Sequence, residues 1–408
     1  MAYRPLSEQD AVEYVRQLPG LFEADARLTS SEIGDGNLNL VFHIRDEEHL
    51  KSVIVKQALP YARVVGESWP LTLDRARIES DALHIQGKLV PDLVPQVYHF
   101  DKELALTVME DLSDHIIMRK GLISGERYPQ FAKHIGRFLA ETLFFTSDLG
   151  IHPYEKKALV SKFINPELCK ITEDLVFTDP YEKCDTNNFN PLIQRDVETI
   201  WANGLLKREI AKLKFGFLTR AEALLHGDLH TGSIFVTATS TKVIDPEFAY
   251  YGPIGFDIGQ VIANLLLNYA GQQGLQKTEE DLQAYRHYLL ETVENVWQEF
   301  AYNFVQLWHK QAKERSARVE DFWQEYLAQV LQDAVGYAGC EVLRRVIGLA
   351  GVADLNTIEN QEVRANAERL ALEIGKTLVL QRTSVKAATD ISEIVSNLTT
   401  ESHQEEAV

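Results

Sequence analysis

Cysteine is scarce in this sequence. Three residues, Cys169, Cys184 and Cys340, are scattered over 408 positions with no CxxC spacing. Thiols so far apart and odd in number give neither a disulfide framework nor a zinc site. Reduced, mostly structural thiols in a cytoplasmic protein are the expectation. Basic charge is short as well: 41 Lys and Arg stand against 60 Asp and Glu, a formal net charge of −19. Nucleic acid and anionic membranes need a basic footprint, so neither is an expected partner. A local basic pocket for phosphates remains compatible with that balance. No apolar run is long enough to span a bilayer, and the first residues lack the apolar core of a signal peptide. What is present, 45% hydrophobic and 25% charged residues, is ordinary for a globular protein. At this length two lobes are expected rather than one core.

Pattern divides the chain accordingly. An amphipathic helix over 8–17 is followed by strand-like runs at 38–44, 52–56, 94–100 and 104–109, with one helix over 74–89 among them. After Glu110-Asp111-Leu112 strand signals nearly stop. Helical periodicity then covers 128–147, 162–177, 197–225, 257–269, 279–313, 319–349 and 359–381. From Thr383 the chain turns polar and is expected to fray. The expectation is an α+β protein: a β-rich lobe over 1–112, a helical lobe over 113–385 and a polar tail over 386–408.

The densest chemistry lies in residues 225–259, LHGDLHTGSIFVTATSTKVIDPEFAYYGPIGFDIG. Two β-branched pieces, 234–237 and 242–244, read as a hairpin around the polar turn 238–241. Such a hairpin would bring Asp228 opposite Asp245 and Glu247. Three converging carboxylates repel one another unless a cation sits among them, and hard oxygen ligands suit Mg²⁺. A surface turn after a strand would also explain Asp-Pro-Glu. Asp228, between Gly227 and Gly232, is the candidate base for phosphoryl transfer. His226 and His230 beside it are expected to bond to loop backbone. Asp257 stands at a helix start, where it would serve as an N-cap or brace the Asp228 loop from below.

Elsewhere the signals are weaker one by one. Glycines in Gly34-Asp35-Gly36-Asn37-Leu38-Asn39 would let backbone N–H groups approach a phosphate, although a hairpin turn is the plainer reading. Lys56, inside the apolar strand SVIVKQAL, would hold phosphate oxygens as a point charge, with Glu79 of the following helix as its partner, or would simply face solvent. Arg344 and Arg345 are adjacent on a helix. They point roughly 100° apart, so at most one would aim into a cleft; surface ion pairs would account for both.

Taken together these residues resemble the protein-kinase-like superfamily, in the small-molecule branch that includes aminoglycoside and choline phosphotransferases. HGDLHTGSIFV followed by IDPEFAYYGPIGFDIG is similar to the 5-methylthioribose kinase family within it. GDGNLNLVF, SVIVKQALPYARVVGESWPLTLDRARIE, VMEDLSDH and CEVLRRVIGLAGVADL extend that likeness along most of the chain. The resemblance implies a bilobal kinase fold using ATP and Mg²⁺ on the sugar 5-methylthioribose, in a cytoplasmic homodimer. It implies a phosphate loop at Gly34, Asp35, Gly36, Asn37 and Asn39, a phosphate-holding Lys56, and a hinge at Glu110, Asp111 and Leu112. Asp228 takes the place of the catalytic aspartate, Asp245 and Glu247 those of the magnesium ligands, and Arg344 and Arg345 those of substrate and transition-state contacts. Trp69 lies in a loop typical of the family. Two departures from protein kinases stand out. Gly227 replaces the arginine that reads an activation-loop phosphate, and Ser233 replaces a metal-binding asparagine, which moves weight onto Glu247.

Overall fold

The computed structural model describes residues 3–34, 38–62 and 66–406. Asp35, Gly36 and Asn37 of the expected phosphate loop, and the side chain of Trp69, lie outside what is described. The chain divides into two compact units: Met1–His115 with Lys242–Ala249, and Ile116–Thr241 with Tyr250–Val408.

The first unit runs α1 (Glu8–Arg16), β1 (Leu28–Glu32), β2 (Asn39–Asp46), β3 (Ser52–Ala58), β4 (Tyr61–Ala62), β5 (Gly66–Pro70), α2 (Asp74–Leu89), β6 (Val97–Asp101) and β7 (Leu106–Glu110). Ser7 and Asp10 close a reciprocal cap at the start of α1. Five strands form an antiparallel sheet in the order β1-β2-β3-β7-β6. Val53 and Val55 of β3 point toward α1 and share a core with Ala11, Val15, Phe42, Ile44, Leu106 and Val108. Alternation therefore turns Lys56 to the opposite face, opposite Val41 on β2 and Thr107 on β7. There α2 offers its buried Glu79.

The second unit contains β8 (Ile116–Ile117), α3 (Met118–Ile123), α4 (Phe131–Thr146), α5 (Pro153–Lys162), α6 (Pro166–Leu175), α7 (Gln194–Ala202), α8 (Gly204–Thr219), β9 (Ala223–Leu224) and β10 (Ile234–Val236). After β11 (Thr241–Val243), which crosses from one unit to the other, come β12 (Tyr251–Gly252), α9 (Gly255–Leu275), α10 (Glu279–Gln311), α11 (Phe322–Ile347), α12 (Ala353–Asn356), α13 (Gln361–Gln381) and α14 (Ala388–Glu406). Burial of α9 is continuous from Gly255 to Gln272, as expected of a central helix. It packs closely on α11: a Cβ at Gly259 would stand 2.7 Å from the Ala334 carbonyl oxygen. These two helices support the loop between β9 and β10, which carries Asp228. Among the described residues no helix is long and apolar enough to cross a membrane.

Three expectations change. The helix over 197–225 is two helices and a short strand, because the Asn203 side chain accepts a hydrogen bond from Leu206 N at 3.0 Å and caps a new start. The helix over 162–177 begins at Pro166, after α5 has ended. The supposed frayed tail is α14, in which Ile391 and Val395 are buried. Its apolar residues are few, but four apart they make a usable stripe.

Candidate active site

Two clusters of charge hold the candidate residues, one in each unit. The first forms around Lys56. Its ammonium donates to Glu79 Oε1 at 2.8 Å and is in contact with Asp245 Oδ1. Burial opposes the charged lysine, yet Asp245, Glu79 and Glu247 outweigh it and hold Lys56 above the ordinary lysine range. The carboxylates feel the reverse. Burial and the neighbouring carboxylates push Glu79 up to about 7 and also raise Glu247. Oxygens of Glu79, Asp245 and Glu247 lie within 4.8 Å of one another.

How Asp245 and Glu247 converge was not foreseen. Asp245 has a left-handed backbone, φ +70°, and a turn closes behind it from Ala249 N to Pro246 O at 3.1 Å. Aspartate tolerates that conformation better than most residues, at a cost of about 1–2 kcal/mol. Arg75 of α2, which the pattern of the sequence did not single out, fixes the other half. It is fully buried, lies 3.5 Å from Glu247 Oε2, and donates to Asn39 Oδ1 at 3.0 Å and to the Leu59 carbonyl at 2.9 Å. Asn39 also donates to Glu247 Oε2 at 3.5 Å. The side chain expected to meet phosphate thus bonds to a carboxylate.

The second cluster forms around Asp228. Gly227 has φ +86°, so the position where protein kinases carry arginine here requires glycine. Beneath the loop Asp257 accepts from His226 N at 2.7 Å and from Gly227 N at 3.0 Å. It is the brace, not the cap: α9 has no side-chain cap. The histidines bond to loop backbone as expected. His226 Nδ1 accepts from Asp228 N at 3.3 Å, and His230 Nδ1 accepts from Gly232 N at 3.0 Å and Ser233 N at 3.1 Å. With Nδ1 an acceptor, the neutral ring carries its proton on Nε2, 3.4 Å from Asp228 Oδ2. Burial, outweighing the attraction of Asp228, keeps the His230 pKa below the ordinary histidine value.

Both arginines reach Asp228. Arg344 Nη2 lies 3.6 Å and Arg345 Nη2 3.8 Å from Oδ1. The expectation that adjacent helical residues diverge fails because of Glu341, one turn earlier on α11. Its two buried oxygens each accept one Nε at 2.6 Å, from Arg344 three residues on and Arg345 four residues on. One carboxylate gathers two guanidinium groups that would otherwise point apart. Burial works against an ionised Asp228, but His230, Arg345 and Arg344 hold it well below the usual carboxylate range. Glu341 could have been sought as the acidic residue at helical spacing from both arginines.

The matching protein family is the phosphotransferase enzyme family, over residues 29–302. The chain belongs to that family. A methylthioribose kinase of Geobacillus kaustophilus (strain HTA426) is 54% identical over 380 residues, covering 93% of this chain and 93% of that one. Another, of Geobacillus thermodenitrificans (strain NG80-2), is 53% identical over 389 residues, or 95% and 96% of the two chains. A third, of Bacillus cereus (strain G9842), is 54% identical over 93% of each. Among solved structures, a Plasmodium vivax ethanolamine kinase is similar with a TM-score of 0.44 at 13% identity, covering 97% of this chain and 89% of that one.

The architecture, a small antiparallel sheet followed by mostly helical chain, is the protein-kinase-like fold of these phosphotransferases. The remaining expected residues are less engaged. Gly34 is exposed, with open space where a Cβ would stand. At the expected hinge, Glu110 bonds to Lys242 at 3.3 Å and Leu112 is buried. Asp111 accepts from Ser52 Oγ at 2.6 Å and meets His43 Nε2 at 2.9 Å. Ser233 donates to the Asp228 carbonyl at 3.3 Å, so its hydroxyl serves the loop.

Proposed function

We propose that this phosphotransferase moves the γ-phosphoryl group of ATP to the 1-hydroxyl of 5-methylthioribose, giving 5-methylthioribose 1-phosphate for methionine salvage. The observation that carries this reading is the likeness to methylthioribose kinases, 54% identical along 93% of both chains. The geometry supports a matching division of labour. Asp228 orients the sugar hydroxyl. Its depressed pKa makes it a weak base, so it accepts the proton late, as a loose phosphoryl transition state allows. Arg344 and Arg345 neutralise charge building on the transferred group. Lys56 holds phosphate oxygens as a point charge, and residues 34–39 and 110–112 are the stretches for phosphate and adenine contacts.

Asp245 and Glu247, with Glu79 beside them, would hold Mg²⁺. Their hard oxygen donors and mutual approach within 4.8 Å fit that ion. When bound, Mg²⁺ neutralises phosphate charge and fixes phosphate geometry. A cytoplasmic homodimer is the proposed setting. The test is a coupled assay of ATP with 5-methylthioribose, alongside other sugars, choline and an aminoglycoside. Turnover on methylthioribose above the others is expected. No turnover from protein with an intact circular-dichroism spectrum would sink the reading.

A further inference from the structure

The hinge stretch carries two acidic side chains, and the first unit ties both down. Glu110 accepts from Gln96 N at 3.0 Å and from Lys242 at 3.3 Å. Asp111 has both carboxylate oxygens engaged. Its Oδ1 accepts from Ser113 N at 3.0 Å and from the Ser113 hydroxyl. Its Oδ2 accepts from Ser52 Oγ at 2.6 Å and from His43 Nε2 at 2.9 Å; an ionised carboxylate can only accept, so the imidazole donates. Burial opposes the charge on Asp111, but Ser113, Ser52 and His43 outweigh it and hold the carboxyl below the ordinary aspartate value. The two long-range donors come from the sheet. Phe42 and Ile44 belong to the core beneath α1, so His43 between them turns to the other face, that of Lys56. It stands opposite Ile54, two residues before Lys56 on β3, and Ser52 lies two residues further back. The latch on Asp111 therefore sits on the Lys56 face of the sheet, at its hinge end.

We infer that His43 and Ser52 are positioning residues that make the hinge select adenine over guanine, an inference that deepens the proposed reading of residues 110–112 and rests on it. Hinge main chain offers N–H donors and C=O acceptors, which answer the N1 acceptor and 6-amino donor of adenine. Guanine presents two donors on the corresponding edge, N1–H and the 2-amino group. A free carboxylate there would accept both in a bidentate, charge-assisted pair and would repel the N1 lone pair of adenine. With Oδ1 held by Ser113 and Oδ2 held by Ser52 and His43, the Asp111 carboxylate is withheld from the base. Specificity then comes from the denial of a guanine contact as much as from the adenine contacts themselves.

The experiment measures steady-state kinetics of the full chain with ATP and with GTP as donors, for the wild type, His43→Phe, Ser52→Ala and His43→Gln. The wild type is expected to favour ATP. In His43→Phe and Ser52→Ala the ATP-to-GTP ratio of kcat/KM should fall at least about tenfold, the effect of one hydrogen bond to a charged group. His43→Gln keeps an amide donor near Nε2 and should restore most of the ratio. Adding Asp111→Ala to His43→Phe should abolish the gain in GTP use. An unchanged ratio, an equal loss with both nucleotides, or a GTP gain that persists without the Asp111 carboxylate would overturn the inference while the kinase reading stands. If the wild type turns over no methylthioribose, the kinase reading falls, and calorimetry with ADP and GDP decides instead. A wild-type preference for ADP that narrows in Ser52→Ala supports the latch; equal preference in both proteins, or no nucleotide binding by the wild type, overturns it. Should His43→Phe not fold, Ser52→Ala carries the same decision, because it removes a single hydroxyl.

Discussion

The two clusters use the same kinds of side chain in opposite balance. Around Lys56 three carboxylates, Glu79, Asp245 and Glu247, face two cations, Lys56 and Arg75. Around Asp228 two carboxylates, Asp228 and Glu341, face two arginines. The first set is short of positive charge, and its glutamates rise in pKa. The second is closed on itself, and its carboxylates fall. Burial pushes carboxylates up in both places, so burial does not explain the difference; the number of carboxylates that share two cations does, three in the first set and two in the second. On the proposed reading, one cluster receives a cation and the other keeps an aspartate ionised beside two donors.

Removing the centre of the second cluster should have the largest effect. Asp228→Asn should lower kcat by about 10²- to 10⁴-fold, the range for a lost catalytic carboxylate. Nucleotide affinity should stay near wild type. A variant with near-wild-type turnover would show that the neutral, closed set is structural. Next comes the cation-poor cluster. Asp245→Asn should raise the Mg²⁺ concentration needed for half-maximal turnover by at least about tenfold, and chelation should abolish wild-type activity reversibly. An unchanged magnesium titration would remove the asymmetry on which the comparison rests.

The arginine pair allows a pH test. A carboxylate with a depressed pKa stays ionised above that value and is lost only as pH falls through it. Wild-type kcat should therefore show no acid limb from Asp228 near pH 5. Arg345→Met removes one cation, so the Asp228 pKa must rise and an acid limb should move up toward the usual carboxylate range. Turnover curves from about pH 3 to 9 with both proteins decide it. An acid limb at the same pH in both would mean the arginines do not control Asp228.

How much of this was legible depends on what kind of contact each residue makes. Asp228, Asp245, Glu247 and Lys56 sit in short motifs, and the likeness named all four. The helix over 74–89 matches α2 residue for residue because its apolar face recurs at helical period. Arg75 and Glu341 were missed for a common reason. Each acts on residues named by motif but lies in a helix whose sequence shows only an ordinary charge, and what it gathers is set by tertiary packing. Asp245 shows the same limit on a smaller scale. Its place in Asp-Pro-Glu was readable, but its left-handed backbone was not, since aspartate occurs readily in extended, helical and turn conformations alike.

Glu341→Gln should act between the large effects and the small ones. It leaves a neutral side chain to hold two guanidinium groups, so Arg344 and Arg345 lose their common anchor and kcat should fall about 10- to 100-fold, as misplacement by an ångström does. A fall in Asp228→Asn and Glu341→Gln together no larger than in Asp228→Asn alone would show that Glu341 works through that aspartate. Ser233→Ala should do least. Its hydroxyl serves the loop, donating to the Asp228 carbonyl at 3.3 Å, and one such bond is worth about 0.5–1.5 kcal/mol. Turnover should fall less than about tenfold and the magnesium titration should not move. A shifted titration in Ser233→Ala would assign the serine to the metal after all, and the cation-seeking role could no longer belong to the Lys56 cluster alone.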